Sequence, residues 1–148
     1  MAFQLSTGAR NALAVSVSLR GLLTGNVIRI YGGPVPASPD DSVGTAVLLC
    51  TVSGGGTGAG IEFEAVPQNG AVVKLASQAW SGTNVANGTA TFCRICPASD
   101  TGAASGTAIR LQGTVGQISA DLELSNVDLA NGAPLAINSG VFTVPARS

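Results

Sequence analysis

The sequence contains no histidine, and only 10% of its 148 residues are charged. Soluble proteins usually carry about 25% Asp, Glu, Lys and Arg. Because histidine is the most frequent general base in enzymes, its absence excludes the Ser/His and Cys/His nucleophile systems. With so few charges and a mean hydropathy of +0.40, the surface must consist largely of small, hydroxyl-bearing and apolar groups. Such a surface is poorly protected against association, so we expect other copies or another protein to cover much of it.

Basic and aromatic residues are also too few and too dispersed for a nucleic-acid surface. The formal net charge is -1, and aromatic residues make up 4% of the chain. Nucleic-acid binding normally requires clustered Lys and Arg together with rings that stack on bases. The seven cations are instead scattered along the sequence: Arg10, Arg20, Arg29, Lys74, Arg94, Arg110 and Arg147. We therefore expect no direct binding to nucleic acid.

No apolar run approaches the roughly 20 residues that a membrane-spanning helix needs. The longest apolar runs, such as residues 46–50, are far shorter. The first residues lack the charged head and long apolar body of a signal peptide. We therefore expect synthesis in the cytoplasm, under reducing conditions, and no membrane partner.

Three cysteines, Cys50, Cys93 and Cys96, leave at least one thiol unpaired or paired between chains. The C-x-x-C motif at residues 93–96 lacks the two further ligands that a zinc site would need. The favoured interpretation is that all three are small buried apolar residues. A disulfide among them, formed after assembly and release from the cell, is the alternative.

A glycosidase needs two carboxylates, and the sequence offers two such pairs, Glu62 with Glu64 and Asp121 with Glu123. An i, i+2 spacing on a strand places both side chains on one face, which is typical of a solvated surface. The glycine-rich residues 54–60 lack the Lys-Ser/Thr and the following helix of a phosphate loop. We expect no catalytic residue, no metal and no cofactor.

The length fits one domain, in which the first 24 residues are predicted to form a helical segment and residues 25–148 a β-sandwich, or jelly-roll-like, domain. Ser6 and Thr7 can cap a helix, and Gly25 can end one. Leucine and alanine recur at three- and four-residue spacing, which predicts short helices at 7–14 and 17–23. The apolar positions are either a docking surface or a cover for one end of the β-domain. They are Leu13, Leu19, Leu22 and Leu23.

After Gly25 the apolar period changes from helical to alternating, with turn signals about every ten residues. This pattern predicts an all-β fold, an antiparallel sandwich or jelly roll of about eight strands. The cleanest alternation is at residues 118–125, where four apolar side chains share one face. The predicted strands are 27–31, 45–52, 61–65, 71–75, 89–95, 107–114, 118–125, 135–138 and 140–144, with a hairpin turn at 67–70.

Trp80, the only tryptophan, precedes a Ser-Gly-Thr-Asn turn. The ring either packs on the edge of the sandwich or serves as an interface anchor, a role in which tryptophan is enriched. A third hypothesis is a carbohydrate-binding module in which Trp80, Asn84 and Asn87 form the contact patch.

Four segments, at residues 5–13, 25–33, 80–83 and 113–116, resemble small virion proteins of tailed bacteriophages. The resemblance extends over roughly residues 5–144 and is nearest to the jelly-roll capsid decoration, or cement, proteins. These have a similar length, low charge and abundance of small residues. The resemblance implies a subunit on the virion surface that clamps joints between major capsid proteins, and it implies no catalytic residues.

From the residues and the resemblance together we expect a structural protein rather than an enzyme. Its expected partners are the major capsid protein and a second copy of itself, since a homodimer is favoured over a trimer. A tail, collar or fibre-associated virion component is the alternative location.

Overall fold

The N-terminal residues form two short helices, as predicted. The computed structural model describes residues 3–66 and 70–138 and the backbone of residues 141–143. A two-residue strand, β1 (Gln4–Leu5), leads into helix α1 (Thr7–Val15) and then helix α2 (Leu19–Leu23). Ser6 and Ser18 cap the two helices, since each side chain accepts a hydrogen bond from the backbone amide of the third helical residue, Ala9 or Gly21. The chain leaves α2 through Gly25, whose φ of +87° favours glycine.

Most of the remaining described chain is β-structure. Nine strands belong to one sheet with the order β1-β7-β6-β2-β3-β5-β10, in which β8 also pairs with β7 and β9 with β6. Strands β4 and β11 form a separate antiparallel ribbon. The strands are β2 (Val27–Gly32), β3 (Val47–Gly54), β4 (Ala71–Val73), β5 (Trp80–Thr83), β6 (Gly88–Cys96), β7 (Leu111–Gly116), β8 (Leu122–Glu123), β9 (Asp128–Leu129), β10 (Pro134–Ile137) and β11 (Val141–Thr143). The predicted all-β, sandwich-like fold with a short helical start is confirmed.

One face of the large sheet carries the hydrophobic core. Strand registers align an aliphatic row across five neighbouring strands: Leu5, Leu111, Ile95, Ile28 and Val52. The helices add Leu22 and Leu23 to this core, and the segment before β4 adds Ile61 and Phe63. Each fully buried side chain of this kind contributes about 1.5–3 kcal/mol of burial free energy. The helical segment therefore shares its core with the sheet.

The strand predicted at residues 118–125 is wrong for most of its length. Ile118 is 81% exposed, and Ser119 adopts a positive φ of 56° that turns the chain. Only Leu122–Glu123 forms a strand, and it pairs in parallel with β7. The loop is held by Asp121, whose carboxylate accepts hydrogen bonds from the amide and hydroxyl of Thr114. Alternating hydrophobicity does not indicate a strand here, because hydrogen bonds from backbone amides to side chains hold these residues in a loop.

Residues 61–65 show the predicted alternation of buried and solvent-facing side chains but form no strand. Ile61 and Phe63 are buried, Glu62 is exposed, and a single bridge joins Phe63 to Lys74. The strand predicted at 107–114 begins only at Leu111. The turn predicted at 67–70 and the end of the last predicted strand fall largely outside the described residues.

Candidate functional site

The four leucines predicted as a docking surface differ in their exposure. Leu22 and Leu23 are 5% and 0% exposed and belong to the core. Leu13 and Leu19 are half-buried and pack against the same core. The helical segment therefore covers one end of the β-domain, and only parts of Leu13 and Leu19 remain available to a partner.

Leu19 also lines an apolar cleft of about 460 Å³ between α2 and the β4–β11 ribbon. Among the described residues, the walls are formed by Ser18, Leu19, Arg20, Glu64, Gly70, Ala71 and Val72. The Arg20 guanidinium spans the gap and donates hydrogen bonds to the carbonyls of Phe63 and Glu64. This arrangement ties α2 to the segment before β4.

Trp80 lies inside the protein, with only 1% of its surface exposed. Its indole meets the Phe63 ring edge-on at a centroid distance of 5.2 Å, and Nε1 donates a hydrogen bond of 2.9 Å to Gln78. The Lys74 ammonium lies 5.6 Å from the centre of the indole. The packed-ring interpretation therefore describes Trp80, and the ring is not accessible to a partner.

The proposed carbohydrate patch is not a surface either. Asn84 is 3% exposed, and its side-chain amide donates a hydrogen bond of 3.2 Å to the carbonyl of Ala130. The Asn87 side-chain oxygen accepts a hydrogen bond from the Asn131 amide at 2.8 Å. With Trp80 buried as well, these three side chains form no exposed platform for a sugar.

The three cysteines are free and buried. Cys50 and Cys93 both lie opposite Ile30, on the two strands that flank β2. Two strand spacings separate them by about 9.6 Å, beyond the 7 Å limit for a disulfide. Cys96 is three residues from Cys93 on the same strand and so projects from the other face. The possible disulfide is therefore not formed within one chain, because the sheet holds the thiols apart.

Burial also makes these thiols unreactive. Desolvation raises the pKa of Cys50 and Cys96 to about 11 and that of Cys93 to about 12. The thiolate is the nucleophile and the metal ligand, so these groups remain protonated near neutral pH. Among the described residues, no group of three or more His, Cys, Asp or Glu could hold a metal ion.

Three of the four paired carboxylates, Glu64, Asp121 and Glu123, hold local backbone, whereas Glu62 is exposed and accepts a hydrogen bond of 3.3 Å from the Gln78 side chain. Glu64 accepts a hydrogen bond from the Ala76 amide at 2.7 Å, and Glu123 accepts one from the Ser119 amide at 2.9 Å. Asp121 is bonded to Thr114 as described above. These side chains fix local backbone, which is a structural use of the charge.

The second face of the large sheet carries a row of polar side chains that sequence reasoning missed. Registers align Gln4, Gln112, Arg94, Arg29 and Thr51 across the same five strands. Arg110, just before β7, extends this layer. Arg94 and Arg110 are 1% and 2% exposed, although arginine is rarely buried without partners.

The partners of this arginine layer are carbonyls of two irregular loops, residues 33–46 and 97–110. Arg94 donates to the carbonyl of Asp41 at 2.8 Å, and Arg110 donates to those of Pro39 at 3.0 Å and Ala103 at 2.7 Å. Arg29 donates to the carbonyls of Asp100 and Ala98. Both loops are thereby fastened over the second face of the sheet.

Asp100 is the carboxylate that balances part of this buried positive charge. It pairs with Arg110 in a salt bridge of 2.6 Å. Burial opposes its ionisation, but hydrogen bonds from Arg110 and the Gly102 amide outweigh burial and lower the pKa of Asp100. Burial and the neighbouring Arg110 lower the pKa of Arg94. Arg94 Nη1 is buried without a hydrogen-bond partner among the described residues.

The sequence did contain a signal for this layer. Each arginine lies between two apolar residues of a strand-like run, as in Ile28-Arg29-Ile30 and Cys93-Arg94-Ile95. Alternation places such an arginine on the face opposite the core. The alternation does not indicate that the loops at residues 33–46 and 97–110 cover that face.

Because Arg94 and Arg110 are buried under the two loops, the exterior carries even less charge than the composition suggests. Of the described cations, only Arg10 and Arg20 are exposed. Several large aliphatic side chains are exposed instead: Val15, Val35, Val47, Val66, Val85 and Ile118. A charge-poor exterior of this kind is poorly protected against association.

No protein-family model matches this chain, and no curated protein or solved structure is significantly similar to it. Within the described ranges, no helix has the length and apolar character to cross a membrane.

Proposed function

We propose that this protein is a structural subunit of a bacteriophage virion, a decoration protein that binds the outer capsid surface. Its partner is the major capsid protein, and it stabilises the shell by spanning joints between capsid subunits. The observation that carries this proposal is the charge-poor exterior, with Arg94 and Arg110 buried and aliphatic side chains such as Val15 and Ile118 exposed. The resemblance of four sequence segments to virion proteins supports the same conclusion.

A charge-poor exterior suits repeated attachment to a lattice. Burying polar groups in an interface has a desolvation cost, and a surface with few charges reduces it. Weak individual contacts then add up when many copies bind one shell. The arginine layer supports this role, because it fastens the loops 33–46 and 97–110 to the sheet and so presents rigid rather than adaptable surfaces.

The end of the molecule that carries α1 is the proposed docking surface. Val15, at the last turn of α1, is 84% exposed, and the half-buried Leu13 and Leu19 lie near it in the sequence. Removing residues 1–24 would not test this surface cleanly, because Leu22, Leu23 and Ala9 are part of the core. Single substitutions at exposed positions leave that core intact.

The experiment is co-sedimentation with empty capsids of the phage whose genome encodes the chain. Wild-type protein should pellet with the capsids in many copies. Val15→Glu should bind at least about tenfold more weakly, since a charge is then buried in the contact. Ile118→Glu, the same kind of change at an equally exposed aliphatic residue in a loop away from α1, serves as the matched control and should bind normally.

Absence of binding by the folded wild type would overturn the proposal. If Val15→Glu and Ile118→Glu both bind as well as wild type, the α1 end is not the docking surface, but capsid attachment itself is still supported. Labelling of the protein on whole virions gives the location: many sites over the shell support decoration, whereas a few sites at one vertex would indicate a neck or tail component.

A further inference from the structure

Three long stretches of the sequence contain no charged side chain: residues 42–61, 75–93 and 129–146. They are far apart in the chain, yet they supply strands β3, β5 and β10 respectively. These three strands are neighbours at one edge of the large sheet. The fold therefore gathers the charge-free stretches into one uncharged edge.

Strand β10 is the outermost strand of this edge, and half of its backbone groups face outward. A turn with Gly132 at φ +88° precedes it, and the Asn84 amide donates to the Ala133 carbonyl at 2.9 Å. In an antiparallel pair, bonded and non-bonded positions alternate, so Leu135 and Ile137 exchange hydrogen bonds with β5. Pro134 and Ala136 then direct their backbone groups away from the sheet.

The position of Pro134 agrees with this assignment, because proline has no N–H and is tolerated at an edge where that group would face outward. The outward groups are the carbonyls of Pro134 and Ala136 and the amides of Ala136 and Asn138. None has a hydrogen-bond partner among the residues that the structure describes. The side chains of Pro134, Ala136 and Asn138 are exposed and small enough for another strand to approach.

Natural proteins usually protect such an edge with a charge, a proline, a bulge or a very short strand. The opposite edge of the sheet follows this rule, since it ends in β1, which is two residues long. The β10 edge has four residues and no charge. Beyond Pro134 at its first position, the β10 edge has neither a protecting charge nor a bulge, which favours pairing of this strand with another chain.

We propose that β10 pairs with β10 of a second copy, antiparallel about a two-fold axis at Ala136. A second copy fits because the edge carries no charge of either sign, so two identical edges meet without repulsion. A two-fold contact is self-complementary. The amide and carbonyl of Ala136 then bond to those of its counterpart. Pro134 accepts a hydrogen bond from the Asn138 amide of the other copy, so the large sheet continues across the dimer.

This pairing depends on the edge and not on the capsid, so it can fail or succeed independently of the proposed function. Purified protein is examined by sedimentation velocity over a wide concentration range. Wild type should convert reversibly from monomer to dimer as concentration rises. Ala136→Pro should weaken dimerisation about tenfold or more, since it deletes two hydrogen bonds by symmetry while removing none within the monomer.

A charge at the same position is the second test. Ala136→Lys places two like charges opposite each other and should weaken the dimer to a similar extent. Ala104→Lys adds the same charge at an exposed loop position and is the matched control, with dimerisation unchanged. The melting temperature of dilute monomer should be unaffected in all three variants, which shows that they fold.

Cross-linking locates the axis directly. Ala136→Cys should form a disulfide-linked dimer under mild oxidation, because paired strands hold opposite Cα atoms about 5.5 Å apart. Ala104→Cys should not. A wild type that stays monomeric at the highest concentration, or a dimer unaffected by both Ala136→Pro and Ala136→Lys, would overturn the proposal. If the protein binds capsids as a monomer, capsid decoration remains supported and the proposed β10 pairing is wrong.

Discussion

The guanidinium of Arg110 grips the carboxylate of Asp100 through two hydrogen bonds of 2.6 and 2.8 Å. The two side chains are 2% and 6% exposed. Arg110, the last residue before β7, also donates to the carbonyls of Pro39 and Ala103, so one side chain links the two covering loops beside the sheet. The pair is therefore the centre of the arginine layer, and its loss should loosen the whole second face.

Replacing Asp100 with Asn leaves Arg110 buried without its counter-charge. Breaking a buried ion pair by removing one partner costs about 3–5 kcal/mol. We expect Asp100→Asn to lower the free energy of unfolding in urea at neutral pH by about 3 kcal/mol on that basis. Asp128→Asn, an exposed carboxylate bonded to Thr89, is the control and should cost less than about 1 kcal/mol. Equal effects in the two variants would show that the buried pair does not stabilise the fold.

The same carboxylate makes stability depend on acid pH. The pKa of Asp100 is lowered in the folded state from an ordinary value of 3.8. Its contribution is therefore complete above pH 3.8 and disappears as the pH falls through the lower folded pKa. The difference in unfolding free energy between wild type and Asp100→Asn should shrink below that pH. A difference that stays constant to pH 2 would contradict this assignment.

The cysteines should be inert until the protein unfolds. The pKa values of about 11 for Cys50 and Cys96, and about 12 for Cys93, leave almost no thiolate at pH 8. A thiol reagent at pH 8 should therefore label none of them in the native protein and all three in denaturant. Non-reducing electrophoresis of the purified protein should show a monomer. A rapidly labelled native thiol, or a disulfide-linked species, would contradict the burial described above.

The single tryptophan gives a direct optical test of the core. Because Trp80 is 1% exposed, native emission should be shifted to the blue and resist quenching by acrylamide. Binding to capsids should leave this emission unchanged. Trp80→Ala should lower the free energy of unfolding by about 3–5 kcal/mol, as expected for a large buried ring. Strong quenching in the folded protein would show that Trp80 is exposed.

Replacing Gly8 with alanine should lower the stability of the protein, although helix propensity alone favours alanine. Alanine is favoured over glycine within a helix by about 1 kcal/mol. A Cβ at Gly8, however, would lie 2.2 Å from the carbonyl oxygen of Thr107. Gly8→Ala should therefore destabilise the protein by about 1–3 kcal/mol in thermal or urea unfolding. Gly106→Ala, with no atom within 4 Å of its added Cβ, should have little effect; a stabilised Gly8→Ala would show that α1 can move away from residue 107.

Sequence patterns correctly predicted the helices and strands that are specified by residues close together in the chain. The cap at Ser6, the apolar spacing of the first 24 residues and the alternation around Ile28 and Ile95 each lie within a single segment. The two helices and strands β2 and β6 could therefore be located from the sequence. The same kind of pattern failed at residues 118–125. There a carboxylate bonded to Thr114 and a positive φ at Ser119 fix a loop, and neither has an apolar signature.

The sequence by itself determined that the chain is β-rich, begins with helices, carries little charge and has no histidine for catalysis. Only the tertiary structure decided how those few charges are used. Arg94 and Arg110 are buried because distant loops supply carbonyl acceptors, and a sequence pattern does not specify which loop covers which face. Strand order likewise brought residues 42–61, 75–93 and 129–146 to one edge. Pairing between strands far apart in the chain is what joins them, and that information lies in long-range contacts rather than in any one segment.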